Sequence, residues 1–397
     1  MKKVIIFLET YHAAGSDKIS KVIIENLKYE EIHLFINKNY DNRILKLEEL
    51  NKNIVIHKYS LFTTSQLTIL AFTIKSKVIR SIIRVFNLLL RYPLIFISII
   101  YFYFKFKPIE PSLFIAINGG YPAAEYCRSS CVSASFFRNN KLFMIYFNKP
   151  VKSLNLFFLF EYYYDKYLDR HVQFICDSKE NAAGLVIHRN INQEVKTVYN
   201  GLSIKQQKEY EKDSSKLFNM LNIAIFEDRK NQLLLIEVVK KLVEDGYVNI
   251  KLNIIGYETE AGYMEKMNQT IHIYSLKKYI NILDFTDKIA QYYQNSDVFL
   301  LASKAESFPI VVLESLSYGL PVISTNVGGV SEQIKNGLNG FLIENFKIED
   351  MAEKIKYLID NREVGEVYGA NSYEYFNNNF TENEMMRKYK LIFKDEL

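Results

Sequence analysis

The sequence predicts two α/β domains, each built on a doubly wound parallel sheet, and three observations lead there. Short apolar segments of strand length alternate with longer segments of helical periodicity along most of the chain. At 397 residues with 49% hydrophobic side chains, the chain can bury two cores rather than one. Strand-like runs also pass through glycine-marked or small-residue loops into helices, the order of a strand-turn-helix unit.

The elements follow in chain order. Residues 4–8 read as the first strand, 18–27 as the first helix, and 33–36 and 55–57 as further strands. Residues 113–118 form a strand entering the turn at Gly119-Gly120, 142–147 another, and 173–178 a strand running into a helix over 179–188. The second domain opens with a strand at 223–226 and a helix over 232–244, and 250–256 is its next strand and turn. The apolar run 298–301 is a buried strand. Pro309 suits a first helical position, and Gly319 with Pro321 ends that helix.

Charge and cysteine usage limit the classes available. Cys127, Cys131 and Cys176 make an odd number, so a disulfide framework is not expected and a reducing cytosol is the default. Cys127 and Cys131 lack the second pair or nearby histidine that a tetrahedral metal site needs. The first residues read as a strand interrupted by Glu9, not as a signal peptide.

Between Asn51 and Ile109 there is no acidic residue but nine Lys or Arg, against a net charge of only +5 for the whole chain. The positive charge is therefore local. Ile79, Ile82, Ile83, Phe86, Leu89 and Leu90 recur there at helical spacing with Arg80, Arg84 and Arg91 between them. Thirteen mostly apolar residues, 92–104, follow and fall short of the ~20 that span a bilayer. Basic and apolar residues so combined over 75–107 suit a surface resting on anionic lipid. The competing reading is a core helix with a solvated basic face followed by a buried strand. No recognised nucleic-acid module accompanies the charge, so nucleic acid is not an expected partner.

Two carboxylates frame the helix after the 298–301 strand. Glu306 lies in the strand-to-helix loop, and Glu314 lies five residues past Pro309, roughly 7.5 Å along the helix axis. The helix start between them offers backbone N–H groups and a dipole that favour phosphate. A sugar diphosphate has matching parts: phosphates for the amide end, hydroxyls for the two carboxylates.

Glu306 and Glu314 at this spacing, followed by Gly319-Leu320-Pro321, Val327-Gly328-Gly329 and Asn336-Gly337-Leu338-Asn339-Gly340, resemble the retaining glycosyltransferases of family 4, with their Glu-x7-Glu motif. The resemblance covers roughly residues 222–345 and implies a GT-B fold: two facing Rossmann-like domains with a cleft between them. Domains at 1–198 and 199–380 follow, divided near Asn200-Gly201, with a last helix over about 381–397 crossing back to the first. The implied reaction moves a hexosyl unit from a nucleotide diphosphate sugar, with retention, to a saccharide acceptor; the 75–107 stretch suggests a lipid-linked saccharide, and the Lys/Asn/Ile-rich composition a bacterial cell-envelope product. The cysteine usage places such an enzyme in the cytoplasm, and the 75–107 stretch adds the expectation of a peripheral position on the inner face of the plasma membrane. No further cofactor is expected, and with no Asp-x-Asp signature a metal is not expected to be required.

The resemblance also assigns roles. Glu306 would hold sugar hydroxyls, Glu314 the ribose, and in the donor-binding segment Ser307, Phe308, Pro309 and Ile310 the amides around Phe308 and Ile310 would line sugar and phosphate. Lys230 would neutralise the donor pyrophosphate, making Glu306 and Lys230 the catalytic pair. Arg229 is second choice, since adjacent residues often point apart. Gly15 and Ser16, in the loop before the first helix, would face phosphate or acceptor, while His12 reads as a local turn residue. The chain departs from the family where Ala224-Ile225 replaces a common Gly-Arg, Phe147-Asn148 a histidine beside the sugar, and Leu202-Ser203 an Ile-Asp pair. Those losses support an alternative: a catalytically degenerate paralogue assisting an active partner.

Overall fold

The computed structural model describes residues 3–9, 15–40, 45, 46, 49, 53–62, 74, 76–118, 125–138, 141–152, 157–205, 207, 217–286 and 288–393. The chain forms two compact units, Met1–Val198 with Met386–Leu397, and Tyr199–Met385.

The first unit contains β1 (Lys3–Glu9), α1 (Gly15–Asn26), β2 (Glu31–Asn37), β3 (Ile54–Tyr59), α2 (Lys77–Phe106), β4 (Leu113–Asn118), α3 (Glu125–Ala134), β5 (Lys141–Tyr146), α4 (Phe158–His171), β6 (Gln173–Cys176), α5 (Lys179–Arg189) and β7 (Lys196–Thr197). Its sheet is parallel in the order β3-β2-β1-β4-β5-β6-β7, with Ile5 opposite both His33 and Phe114. Buried on both faces, β1 is an apolar run rather than an alternating one. The expected turn at Gly119-Gly120 and the reading of His12 fall outside the described residues.

The segment 75–107 departs from its expected form. The amphipathic stretch and the apolar run are one 30-residue helix, α2, rather than a short helix and a strand. From Val78 to Phe106 it is long and apolar enough to cross a membrane by length and composition. Thirteen apolar residues counted alone missed the length because helical structure carries through Arg80, Arg84 and Arg91, whose long side chains are good helix formers. The second half packs inward. Phe102 meets Phe7 edge-on at 4.9 Å, Phe106 meets Phe35 at 5.0 Å, and the Ser98 and Ser129 hydroxyls are 2.8 Å apart between α2 and α3.

The second unit contains β8 (Phe218–Ile223), α6 (Gln232–Glu244), β9 (Ile250–Gly256), α7 (Tyr263–Ile273), β10 (Ile280–Asp284), α8 (Ile289–Gln294), β11 (Val298–Leu301), α9 (Ile310–Ser317), β12 (Val322–Thr325), α10 (Val330–Gln333), β13 (Gly340–Ile343), α11 (Ile348–Asp360), α12 (Arg362–Asn379) and the start of α13 (Glu382–Phe393). The sheet is again parallel, in the order β10-β9-β8-β11-β12-β13. Strand β8 begins five residues before the expected 223–226 segment and ends at Ile223. Asn219 and Asn222 broke the apolar pattern, yet the buried Asn222 amide donates to the Leu300 carbonyl of β11 at 2.8 Å. The second half of α13 belongs to the first unit, where Phe393 packs on Phe143 at 4.6 Å.

Four fully buried charges lie between α3, α4 and α5. Arg128 donates to Glu161 at 2.8 Å, Arg189 pairs with Glu161 and lies 2.8 Å from Asp165, and the Tyr92 hydroxyl of α2 donates to Glu161 at 3.2 Å. Burial alone would raise the Glu161 carboxyl, but the Arg128, Arg189 and Arg91 charges outweigh it and hold it at about 2. A carboxyl lowered in this way stabilises the fold above its ordinary value of 4.5, and that contribution is lost as pH falls toward 2. Glu161→Gln is expected to lower stability at neutral pH by about 3–5 kcal/mol in urea titrations, since two buried arginines lose a counter-charge. The variant's stability is also expected to vary less than the parent's between pH 4.5 and 2. An unchanged urea midpoint would refute this reading.

Candidate functional site

The sheet order of the second unit reverses between β8 and β11, and in open parallel sheets ligands bind beyond the carboxyl ends at such a switch point. Two loops leave those ends: residues 224–231 after β8 and 302–309 after β11. Asp228–Lys230 form a single 3-10 turn, and Asn231 follows at φ 54°, a left-handed conformation that asparagine tolerates, before α6 begins. The turn is tied to its surroundings by the Asp228 N–H, which donates to Glu260 at 2.7 Å.

The two loops meet at Glu306. The Lys230 ammonium lies 2.6 Å from Glu306 Oε1, the Ser303 hydroxyl donates to the same oxygen at 2.6 Å, and Arg229 Nη1 lies 3.7 Å from Oε2. The Glu306 side chain is 7% exposed, so the pairing works in a medium where screening is weak. Arg229 also donates to the Ala305 carbonyl at 3.0 Å and pairs with Glu227 at 2.6 Å. The adjacent side chains of Arg229 and Lys230 thus converge on one carboxylate instead of pointing apart, because the 3-10 turn lies against the 302–306 loop. A backbone bond from Lys304 N to the Arg229 carbonyl, 2.8 Å, holds it there.

The 306–309 segment is fixed from beneath. Gly329 N donates to the Ser307 carbonyl at 2.7 Å, and the buried Gln333 amide donates to the Pro309 carbonyl at 3.1 Å. Gly328 sits at φ +58°, and a Cβ there would lie 2.0 Å from the Glu306 carbonyl oxygen. Phe308 is buried, stacked 5.2 Å from Tyr199 and edge-on to Phe380, so its side chain anchors the loop. Pro309 is the extended cap residue and α9 begins at Ile310, one position later than expected. Gly319, at φ +76°, ends α9 as expected.

Glu314 accepts a hydrogen bond at 2.9 Å from the hydroxyl of Tyr293, a buried α8 residue stacked on Tyr318. Burial and the Glu314 charge push the Tyr293 phenol well above its ordinary value, so it remains a donor. Gly15 and Ser16 belong to the first unit, in the first turn of α1, where the Ser16 carbonyl accepts from Ser20 at 2.9 Å. Ile225 is half-buried, and its carbonyl accepts from the Gln232 amide at 2.8 Å. Phe147 is buried just past β5. Sequence reasoning assigned no role to Ser303, Tyr293 or Gly328. Ser303, next to the strand end, carried a weak local signal, whereas Tyr293 touches Glu314 from another helix.

The site lies within a stretch that is similar to known proteins. Residues 203–375 match the model of the family described as glycosyl transferases group 1. The chain is 27% identical over 215 residues to N-acetyl-alpha-D-glucosaminyl L-malate synthase of Bacillus anthracis, an alignment covering 52% of this chain and 55% of that one. It is 33% identical over 148 residues to the capsular polysaccharide biosynthesis glycosyltransferase CapM of Staphylococcus aureus, covering 37% and 38%. The chain therefore spans about half, or less, of the length of these relatives. Anabaena Alr3699/HepE, solved in complex with UDP, superposes with a TM-score of 0.74 over 99% of this chain and 100% of that one at 16% identity. The fold is GT-B.

Gly328→Ala is expected to lower thermal stability more than Gly246→Ala. Both glycines have positive φ, a strain of about 1–2 kcal/mol for alanine. Gly246 has nothing within 4 Å of an added Cβ, whereas at Gly328 overpacking adds about 1–3 kcal/mol. Equal melting shifts for the two would refute the close approach to Glu306.

Proposed function

We propose that this chain, whose residues 203–375 belong to the glycosyl transferases group 1 family, moves a hexosyl unit from a nucleotide diphosphate sugar to a saccharide or lipid-linked saccharide with retention of configuration. The observation that carries the reading is Glu306, held at 2.6 Å by both Lys230 and Ser303 beside the start of α9. Glu306 pairs with Lys230. An incoming diphosphate, with more negative charge, takes over the ammonium, which frees a Glu306 oxygen to accept from a sugar hydroxyl. Binding of phosphate and orientation of sugar are thereby coupled through one proton-rich side chain.

Lys230 then faces the atom on which negative charge grows as the glycosidic bond to phosphate breaks, where a fixed cation lowers the barrier most. The start of α9 adds its dipole. Glu314, kept in place by Tyr293, would accept from the ribose hydroxyls. Retaining hydrolases place two carboxyls about 5–5.5 Å apart across the scissile bond, one as nucleophile. Here the carboxylates have separate supports, a lysine and a tyrosine, which suits two binding positions on one extended donor. The departing phosphate would assist deprotonation of the acceptor hydroxyl, with no metal required. The cytoplasm and the inner face of a bacterial plasma membrane are the places where such donors and lipid-linked acceptors meet.

A panel of sugar nucleotides assayed for donor consumption tests the proposal. Lys230→Ala and Glu306→Ala are each expected to cost about 10²–10³ in kcat, the size seen when one group stabilising developing charge is removed. Consumption of no donor by the parent chain, or unchanged turnover in Glu306→Ala, would favour the degenerate accessory reading that Ile225 and Phe147 suggest. Tyr293→Phe is expected to raise the donor KM severalfold with kcat nearly unchanged, the pattern of lost uniform binding. A fall in kcat instead would remove Glu314 from the role of ribose acceptor.

A further inference from the structure

Helix α2 carries an apolar face that its own unit leaves uncovered. Val78, Ile82, Leu89, Phe96, Ile100 and Phe104 are 56–69% exposed. Their spacing puts them along one side of the helix, a stripe roughly 39 Å long at about 1.5 Å per residue. Pro93 lies exposed within that stripe. At the carboxyl end, exposed Phe136 touches Tyr103, and Lys105, Lys107 and Arg138 are exposed around it. An apolar patch of this length with a basic margin on a water-soluble unit needs a partner.

The opposite side of the same helix is already committed. Ile95, Phe102 and Phe106 are fully buried, and Phe102 and Phe106 pack onto aromatic side chains of β1, β2 and β3. Drawing α2 across a bilayer would strip that side from the sheet, although the helix has the length to span. Charge decides among the remaining occupants. The stretch from Asn51 to Ile109 holds nine cations and no acid, so a second copy of this face would set like charges against each other. Arg91 is taken up by Glu125 at 2.8 Å, but the exposed lysines lie at the margin. An anionic bilayer complements both the apolar stripe and its basic border.

We infer that α2 is a membrane-docking helix that lies in the plane of an anionic lipid surface, with the side bearing Phe96 and Ile100 buried among acyl chains and Lys105 and Lys107 at the headgroups. This deepens the lipid-linked-acceptor reading and rests on it for its purpose only. The test contains no sugar donor, so failure to dock and failure to transfer are separate results.

The full chain is floated with vesicles of phosphatidylcholine alone and of phosphatidylcholine with phosphatidylglycerol. Binding is expected to the anionic vesicles, weakening as salt rises. Phe96→Glu/Ile100→Glu is expected to weaken it at least tenfold, and Lys105→Glu/Lys107→Glu at least fivefold, about the effect of losing one basic residue at such a surface. Because these four positions are solvent-facing, melting temperatures are expected to stay near the parent's, which separates lost docking from lost folding. The chain has no tryptophan, so Phe96→Trp supplies a single reporter whose emission is expected to shift to the blue on anionic vesicles. Absence of flotation at low salt, or equal binding by Phe96→Glu/Ile100→Glu, overturns the inference. So does resistance of the membrane-bound chain to alkaline carbonate extraction, which marks a spanning helix. A parent dimer that the apolar substitutions convert to monomer, without change in vesicle binding, assigns the face to a second copy and overturns it as well.

Discussion

The contact between Lys230 and Glu306 is what the second unit is arranged to make. It joins the loops that leave two neighbouring strands, β8 and β11, at the one place where the sheet changes direction. A carboxylate as buried as Glu306 is costly without a counter-charge, and Lys230 removes that cost at 2.6 Å. The rest of the local structure serves the pair. Asn231 in the left-handed region lets the 3-10 turn pass into α6, Gly328 yields the space that the Glu306 backbone occupies, and Ser303 fixes the shared oxygen.

The cations around that contact differ in how far water reaches them. Among the described residues four ion pairs border the site: Lys230 and Arg229 each with Glu306, Arg229 with Glu227, and Lys304 with Asp228. The Arg229 and Lys304 side chains are 46% and 45% exposed, so water and salt screen them, whereas Lys230 is 14% exposed. The least screened cation gains most from a second negative charge. Under the proposed function, Lys230 is therefore the cation whose exchange of partners would answer an incoming anion.

Much of this was legible along the chain, for physical reasons that particular residues show. Val298–Leu301 is an unbroken apolar run because both faces of its sheet are covered, and Gly319 stops α9 because the next conformation needs positive φ. Glu306 and Glu314 stood out by spacing, and Lys230 by its resemblance to a family element. Their mutual geometry did not, since Lys230 and Glu306 are 76 positions apart and only the switch point of the sheet brings them together. Tyr293 was hidden in the same way: a tyrosine in a short helix has no local mark of serving a glutamate 21 positions on. Strand β8 was displaced because Asn219 and Asn222 look like loop residues until their partners are known, and one of those partners, Leu300, lies 78 positions away.

The first unit shows how the same residue type divides by surroundings. Lys105 and Lys107 at the end of the 75–107 segment are exposed, yet Arg128 and Arg189 are among the most buried side chains described, held by Glu161 and Asp165. Each buried arginine needs a carboxylate supplied by another helix, so the ionic cluster fixes how α3, α4 and α5 pack, and Tyr92 brings α2 into the same cluster. The half of α2 that follows Tyr92 is seated by this cluster and by aromatic packing on the sheet. The half before Arg91 has no fully buried residue among those whose burial is described. A helix seated at one end and apolar on its outer side all along is held rigidly in place while it offers that side to something else. Core packing would have buried the stripe, and solvation would have made it polar. Its sequence does neither: the exposed positions keep large apolar side chains.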